Sequence, residues 1–289
     1  AAARVAAPRG GCFALGRPGG ETRPPRSAAA MGFTLLELLV VVSIIALGTA
    51  AVSLAMRDAS IVDIAWGSGF VLVAWVTYWL SDGNSTRSLL LTLLTTIWGG
   101  RLAFYLAKRN LGHGEDFRYQ SMRRKHGDRF PIVSLYTVFG VQGALMFIVS
   151  LPVQLGQVRT EPGFGVLGAL GVLVWGVGLY FEAVGDAQLA RFKRDPANKG
   201  LVMNQGLWRY TRHPNYFGDS CVWVGLGLIA AETKLGIFGL VGPVVMTFLL
   251  VKVSGAAMLD RAMLKRKPGY ETYVATTSGF IPRPPRRTS

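Results

Sequence analysis

Residues Asn204–Asp219, NQGLWRYTRHPNYFGD, place Arg209, Arg212, His213, Asn215, Tyr216 and Asp219 within eleven positions, just ahead of the apolar run CVWVGLGLIAA. Polar groups at the edge of such a segment are costly unless they are used or paired. Arginine and histidine offer donors to phosphate or carboxylate, and asparagine and aspartate can hold ribose or amide groups. Pro214 breaks the helix register, so that backbone polar groups face a pocket. Such a set suits a nucleotide held at a membrane surface. The same residues also fit a simpler pattern, with Arg209 and Arg212 as flanking cations and Trp208, Tyr210 and Tyr216 as interfacial aromatics.

Outward from this stretch the chain is a series of apolar runs separated by basic connections. Its 289 residues are 51% hydrophobic, with a mean hydropathy of +0.35 and a net charge of +15. A nucleic-acid-binding domain would gather its cations on a soluble fold; here they lie between apolar runs, so no nucleic-acid partner is expected. Runs near 35–55, 62–80, 88–107, 132–155, 164–187, 215–231 and 235–257 each approach the roughly 20 residues needed to cross a bilayer. The expected fold class is therefore all-α, a polytopic integral membrane bundle of about seven transmembrane helices over 31–289. Gly165, Gly168, Gly171, Gly176 and Gly178 in the fifth run would allow close helix contact.

Lys and Arg concentrate after the third run (Lys108, Arg109, Arg118, Arg123, Arg124, Lys125, Arg129), after the fifth (Arg191, Lys193, Arg194, Lys199) and in the tail (Arg261, Lys265, Arg266, Lys267). The opposite connections hold Arg87, Arg159 and Lys234, which puts the C-terminus in the cytoplasm. Residues 1–30, rich in Ala, Arg, Gly and Pro, read as a disordered arm or extension, with Met31 as a native start. MGFTLLELLVVVSIIALG also resembles a type IV prepilin signal, with Gly32 before Phe33 and Glu37 following. That likeness favours a bacterial inner membrane, although the run reads foremost as the first transmembrane helix.

Ionisable side chains inside the runs are the next candidates: Asp63, Arg101, Glu182, Asp186 and Asp260. Glu182 and Asp186, four apart, share one helix face and can either pair with Arg101 or Arg212 or order those arginines for a phosphate. His113, Glu115, Asp116 and His126 lack paired helical spacing, so no metal site is expected, and Cys12 and Cys221 form no disulfide framework. Glu115, Asp116, Arg118 and Tyr119 read instead as a cytoplasmic cover.

GLWRYTRHPNYFGD resembles the signature of the DUF1295 branch of the steroid 5-alpha-reductase-like membrane proteins, and the tail PGYETYVATTSGFIPRP resembles the end of the same family. Related RHPxY strings occur in sterol reductases and in isoprenylcysteine and phospholipid methyltransferases. The resemblance, over 57–285, implies an NADPH pocket lined by Glu182 and Asp186, a phosphate contact at Lys193, and further cofactor contacts at Arg101, Arg212, His213, Asn215, Tyr216 and Asp219, with Asp260 at the end of the last run. It places Asp63 where the reductases hold the substrate carbonyl. Where they carry a carbonyl-polarising tyrosine this chain has Trp98, and Tyr105, on a similar helix face, is the candidate substitute.

The implied reaction is NADPH-dependent reduction of a conjugated carbon–carbon double bond in a steroid- or isoprenoid-like substrate, with protonated Asp63 or Tyr105 as the donor. An S-adenosylmethionine-dependent methyltransferase acting on a lipid or prenylated cysteine is the alternative from the same superfamily. A non-enzymatic, pilin-like membrane component is the alternative from another class. The expected partners are a hydrophobic small molecule or lipid as substrate, together with membrane lipids.

Overall fold

The apolar runs emerge as helices in a computed structural model that describes residues 28–286, apart from 82–84, 113, 159–163 and 254. In chain order these are α1 (Ala28–Met56), α2 (Ile61–Leu80), α3 (Ser85–Asn110), α4 (Phe117–His126), α5 (Phe130–Ser134), α6 (Val141–Val149) and α7 (Leu151–Gln157). They continue with α8 (Val166–Arg194), α9 (Pro214–Ala230), α10 (Val241–Phe248), α11 (Ala256–Arg266) and α12 (Tyr270–Thr276). π-helical turns at Leu135–Gly140 and Leu249–Val253 join α5 to α6 and extend α10. A parallel bridge, Thr211 to Ser278, ties the α8–α9 connection to the tail.

Among the described residues six segments are long and apolar enough to cross a membrane: Leu36–Met56, Ile61–Leu80, Thr86–Asn110, Phe117–Val149, Val166–Arg194 and Gly236–Arg266. The seventh expected run, 215–231, forms α9, whose 17 residues span only about 26 Å at ~1.5 Å per residue, against a hydrocarbon core of about 30 Å. It is the most enclosed of the long helices, with Gly218, Val222, Trp223, Gly225, Leu226 and Ile229 among its buried positions. α1 starts at Ala28 and runs through Gly32 and Phe33, so the prepilin-like string lies in the first turns of the first membrane helix. Residues 1–27 of the expected arm lie outside the described residues.

Glycines decide how α9 is held. On α8, Gly171, Gly178 and Gly185 recur every seven residues and keep one face without side chains. A Cβ at Gly178 would lie 2.6 Å from Gly218 O, and one at Gly171 would lie 2.7 Å from Gly225 O, so the antiparallel helices touch backbone to backbone. Gly67 and Gly99 bring α2 and α3 together in the same way. Of the glycines expected to permit close contact, Gly176 meets nothing within 4 Å. Below the α8–α9 contact, Phe70, Trp98 and Trp223 form a fully buried aromatic group with ring centroids 4.7–5.6 Å apart. Some polar side chains in the bundle find backbone partners: Arg87 Nε donates to Gly156 O at 3.1 Å, and Gln154 Nε2 to Phe147 O at 2.9 Å.

Candidate functional site

The close contact of α8 with α9 sets Glu182 and Asp186, one turn apart, against α3 and the first turn of α9. Arg101, from the middle of α3, donates through NH1 to Glu182 Oε1 at 2.5 Å and through NH2 to Asp186. The indole N–H of Trp98, one turn earlier on α3, donates to Glu182 Oε2 at 2.9 Å, and Asn215 Nδ2 donates to Asp186 Oδ1 at 3.3 Å. Glu182 and Asp186 are nearly inaccessible, with side chains 4% and 8% exposed, while Arg101 keeps 21%. Carboxylates buried at this depth require their counter-cation; removing one partner of a buried pair costs about 3–5 kcal/mol.

Two further groups complete the enclosed part. Asp219 lies one turn after Asn215, within electrostatic reach of Glu182, Asp186 and Arg101 and beside the Trp223 indole, and its buried Oδ1 makes no hydrogen bond of ordinary geometry among the described residues. Tyr105, one turn beyond Arg101, sets its ring 5.6 Å from the guanidinium carbon, a cation–π contact. Trp98, fully buried and committed to Glu182, has no free donor for a substrate.

Cations gather just outside. Lys193, at the end of α8, is exposed and lies within electrostatic reach of Arg109 on α3 and Lys267 after α11. None of the three is salt-bridged to a carboxylate among the described residues; Arg109 Nε bonds to Asn110 and Lys267 Nζ to the carbonyl of Leu201.

Arg212, His213 and Asp260 are brought together, but with one another and the tail. Arg212 donates to Asp260 through Nε and, at 2.8 Å, NH2, and through NH1 to the carbonyls of Thr277 at 2.6 Å and Val274 at 3.2 Å. His213 Nε2 lies 3.0 Å from Asp260 Oδ1, and its ring stacks on Tyr216 at 5.5 Å. Tyr270 donates to Asp260 Oδ1 at 2.5 Å; burial first, and then this carboxylate, hold its phenol well above the ordinary value, so it remains a donor. With its donors spent in this way, Arg212 acts as a clasp on the 270–286 segment.

Asp63 is placed with the α4 segment, as an acceptor. Oδ2 accepts from Arg118 at 2.7 Å and Oδ1 from the Tyr119 hydroxyl at 2.9 Å, so in this fold both oxygens of the expected donor are engaged by α4. Asp116 caps α4 through the Arg118 amide, and Glu115 accepts from Arg123 at 2.8 Å and from the Ala59 amide at 2.9 Å. Burial pushes both carboxyls up, but their hydrogen bonds to Arg123 and Arg118 outweigh it and hold them below their ordinary values. The expected cover is thus a short helix stapled to α2 by carboxylates. His113 lies outside the described residues.

Sequence reasoning did not single out Arg109, Lys267 or the pairing of Trp98 with Glu182. Arg109 follows Arg101 by two turns on one helix face, a spacing that could have flagged it.

An all-helical integral membrane protein with an arginine–carboxylate group enclosed between α3, α8 and α9 is the class these features define. Within that class the chain belongs to the DUF1295 family, described as proteins of unknown function, whose profile matches residues 50–277. It is 25% identical over 227 residues to an uncharacterized protein of Schizosaccharomyces pombe, covering 69% of this chain and 64%, less than two thirds, of that protein. It is also 35% identical over 68 residues to a probable O-methyltransferase of Ustilaginoidea virens, 24% of each chain. No solved structure matches.

Proposed function

We propose that the protein is a membrane-embedded, NADPH-dependent reductase of a carbon–carbon double bond conjugated to a carbonyl in a hydrophobic, steroid- or isoprenoid-like substrate. The observation that carries this reading is the trio Arg109, Lys193 and Lys267, cations from three separate elements, with Arg109, Lys267 and Asp186 within electrostatic reach of Lys193 and no salt bridge to a carboxylate among the described residues. Asp186 offsets only part of this charge, and the remainder suits a polyanion such as a pyrophosphate with a 2'-phosphate. The enclosed groups suit the other end of the molecule, since the unsatisfied Asp219 oxygen and the Asn215 amide offer an acceptor and a donor for a carboxamide.

Bound NADPH would supply a hydride to the β carbon of the substrate. Arg101, fixed by Glu182 and Asp186, would orient the neighbouring ring of Tyr105. The Tyr105 hydroxyl would then donate toward the substrate oxygen as charge develops there. Trp98 would close the floor and exclude water. Asp63 would act at a remove, by holding Arg118 and Tyr119 of the α4 cover. The cationic rim would face the cytoplasm, in a bacterial inner membrane, with the C-terminal segment on the same side.

Calorimetric titration of the detergent-solubilised protein tests the proposal. NADPH should bind more tightly than NADH, and S-adenosylmethionine should not bind; binding of S-adenosylmethionine alone would overturn it. That second reading, a methyltransferase, draws support from the short likeness to a probable O-methyltransferase. It draws further support from the three carboxyls, Glu182, Asp186 and Asp219, gathered about one arginine, because a sulfonium cofactor is cationic. The cations of the rim, none of them salt-bridged among the described residues, favour the reductase.

A further inference from the structure

The α8–α9 connection and the C-terminal segment enclose a second cavity, separate from the Arg101 group. It is an open cleft of about 510 Å3, walled by Asn204, Gln205 and Arg209 on one side and by Thr272 and Thr276 on the other. This volume lies within the range of small-molecule sites. Trp208 stands between the two regions: its indole donates to Gly185 O at 3.0 Å, and its carbonyl accepts from Tyr273, which lines the cleft. The walls are pinned without any ligand. The Arg283 amide donates to Tyr210 O and the Arg286 amide to Thr276 O, each at 2.9 Å.

The charge is one-sided. Arg209 lines the cleft and makes no salt bridge among the described residues, and no Asp or Glu is among the lining residues. Arg283 and Arg286 flank it on the pinned segment. Among the described residues the Thr272 hydroxyl and the side-chain amides of Asn204 and Gln205 make no hydrogen bond, which leaves them able to donate into the cleft they line. An exposed guanidinium beside amide and hydroxyl donors, in a preformed concave site, is the chemistry that recognises a phosphate monoester. We propose that this cleft binds a phosphate monoester, with Arg209 as its principal cation and Asn204, Gln205 and Thr272 as its neutral donors. The proposal stands whether or not the Arg101 group binds NADPH.

A phosphate of this kind can come from a soluble metabolite or from a lipid headgroup, so two probes are needed. The full chain in detergent is titrated calorimetrically with glycerol 3-phosphate, and the same chain in nanodiscs containing phosphatidic acid or only phosphatidylcholine is followed by thermal unfolding. Either glycerol 3-phosphate should bind, indicating a soluble source, or phosphatidic acid alone should stabilise, indicating a lipid source. Arg209→Gln should weaken the response about ten- to hundredfold, the range of a lost charged hydrogen bond, and Thr272→Val by a few-fold. Both variants should unfold at the wild-type temperature, since both side chains are exposed. Lys193→Gln, on the other cationic cluster, should leave this response unchanged. The inference is overturned if the folded wild type responds to neither probe, if Arg209→Gln and Thr272→Val respond as the wild type does, or if Lys193→Gln abolishes the response.

Discussion

Replacing Gly218 by alanine tests whether the candidate site depends on the backbone contact between α8 and α9. The new Cβ would lie 2.5 Å from Glu182 N and from Gly178 O, where ordinary contact begins at 3.4 Å, so the helices must part by about 0.9 Å. Both obstructing atoms are backbone, and no side chain can rotate to relieve them. A gap of ~0.5–1 Å forfeits a quarter to a half of each dispersion contact it opens, and overpacking of this kind costs about 1–3 kcal/mol. At ~2–4 °C per kcal/mol, melting in detergent should fall by roughly 2–12 °C. Because the displaced backbone carries Glu182, NADPH binding should fall with it. The control lies on the facing helix, α8: a Cβ at Gly176 meets nothing within 4 Å, so Gly176→Ala should be neutral or stabilising by about 0.5–1 kcal/mol, the ordinary advantage of alanine in a helix. Equal melting temperatures and equal NADPH affinities for the two variants, measured side by side, would refute the reasoning.

Arg101→Met should be far more damaging than its partial exposure implies, because Glu182 and Asp186 stay buried without their cation; a loss of about 3–5 kcal/mol should appear as low monodisperse yield and early unfolding. Lys193→Ala should leave the melting temperature unchanged and weaken NADPH binding while sparing NADH, as measured by titration at two salt concentrations. Tyr105→Phe should retain NADPH affinity and lose about 100-fold or more in single-turnover reduction; an unchanged rate removes this tyrosine as the donor. Glu115 and Asp116 have depressed values in the folded protein, so their contribution to the α4 cover is complete above their ordinary 4.5 and 3.8 and is lost as the pH falls through the lower folded values. Hydrogen exchange over 115–126, corrected for intrinsic rate, should rise between about pH 6 and about pH 3 while exchange in α8 does not.

The membrane spans are legible because a bilayer demands unbroken apolar length, which composition reports directly. α9 carries the same composition with another meaning, since Val222, Trp223 and Leu226 face protein rather than lipid, and hydropathy does not distinguish the two surroundings. The meeting of Arg101 with Glu182 and Asp186 is legible for an electrostatic reason, as charges within apolar runs need one another. The separation of Arg212 from that group is not legible. Its partner Asp260 lies 48 residues onward, and a string that keeps Arg212, His213 and Asn215 adjacent does not show that the chain turns between them. The same limit hides the use of Trp98, whose acceptor is 84 residues away.

The clasp on Arg212 has a consequence for biogenesis. Its acceptor at Thr277 is made 65 residues after the arginine itself, beyond α10 and α11. A ribosome therefore releases the signature stretch long before the tail segment that immobilises it, and during that interval the connection holding Arg212 and His213 remains unanchored in the translocon's vicinity. Nonsense or frameshift lesions downstream of α11 should accordingly yield chains that insert with every apolar run intact yet are recognised and degraded by membrane quality control.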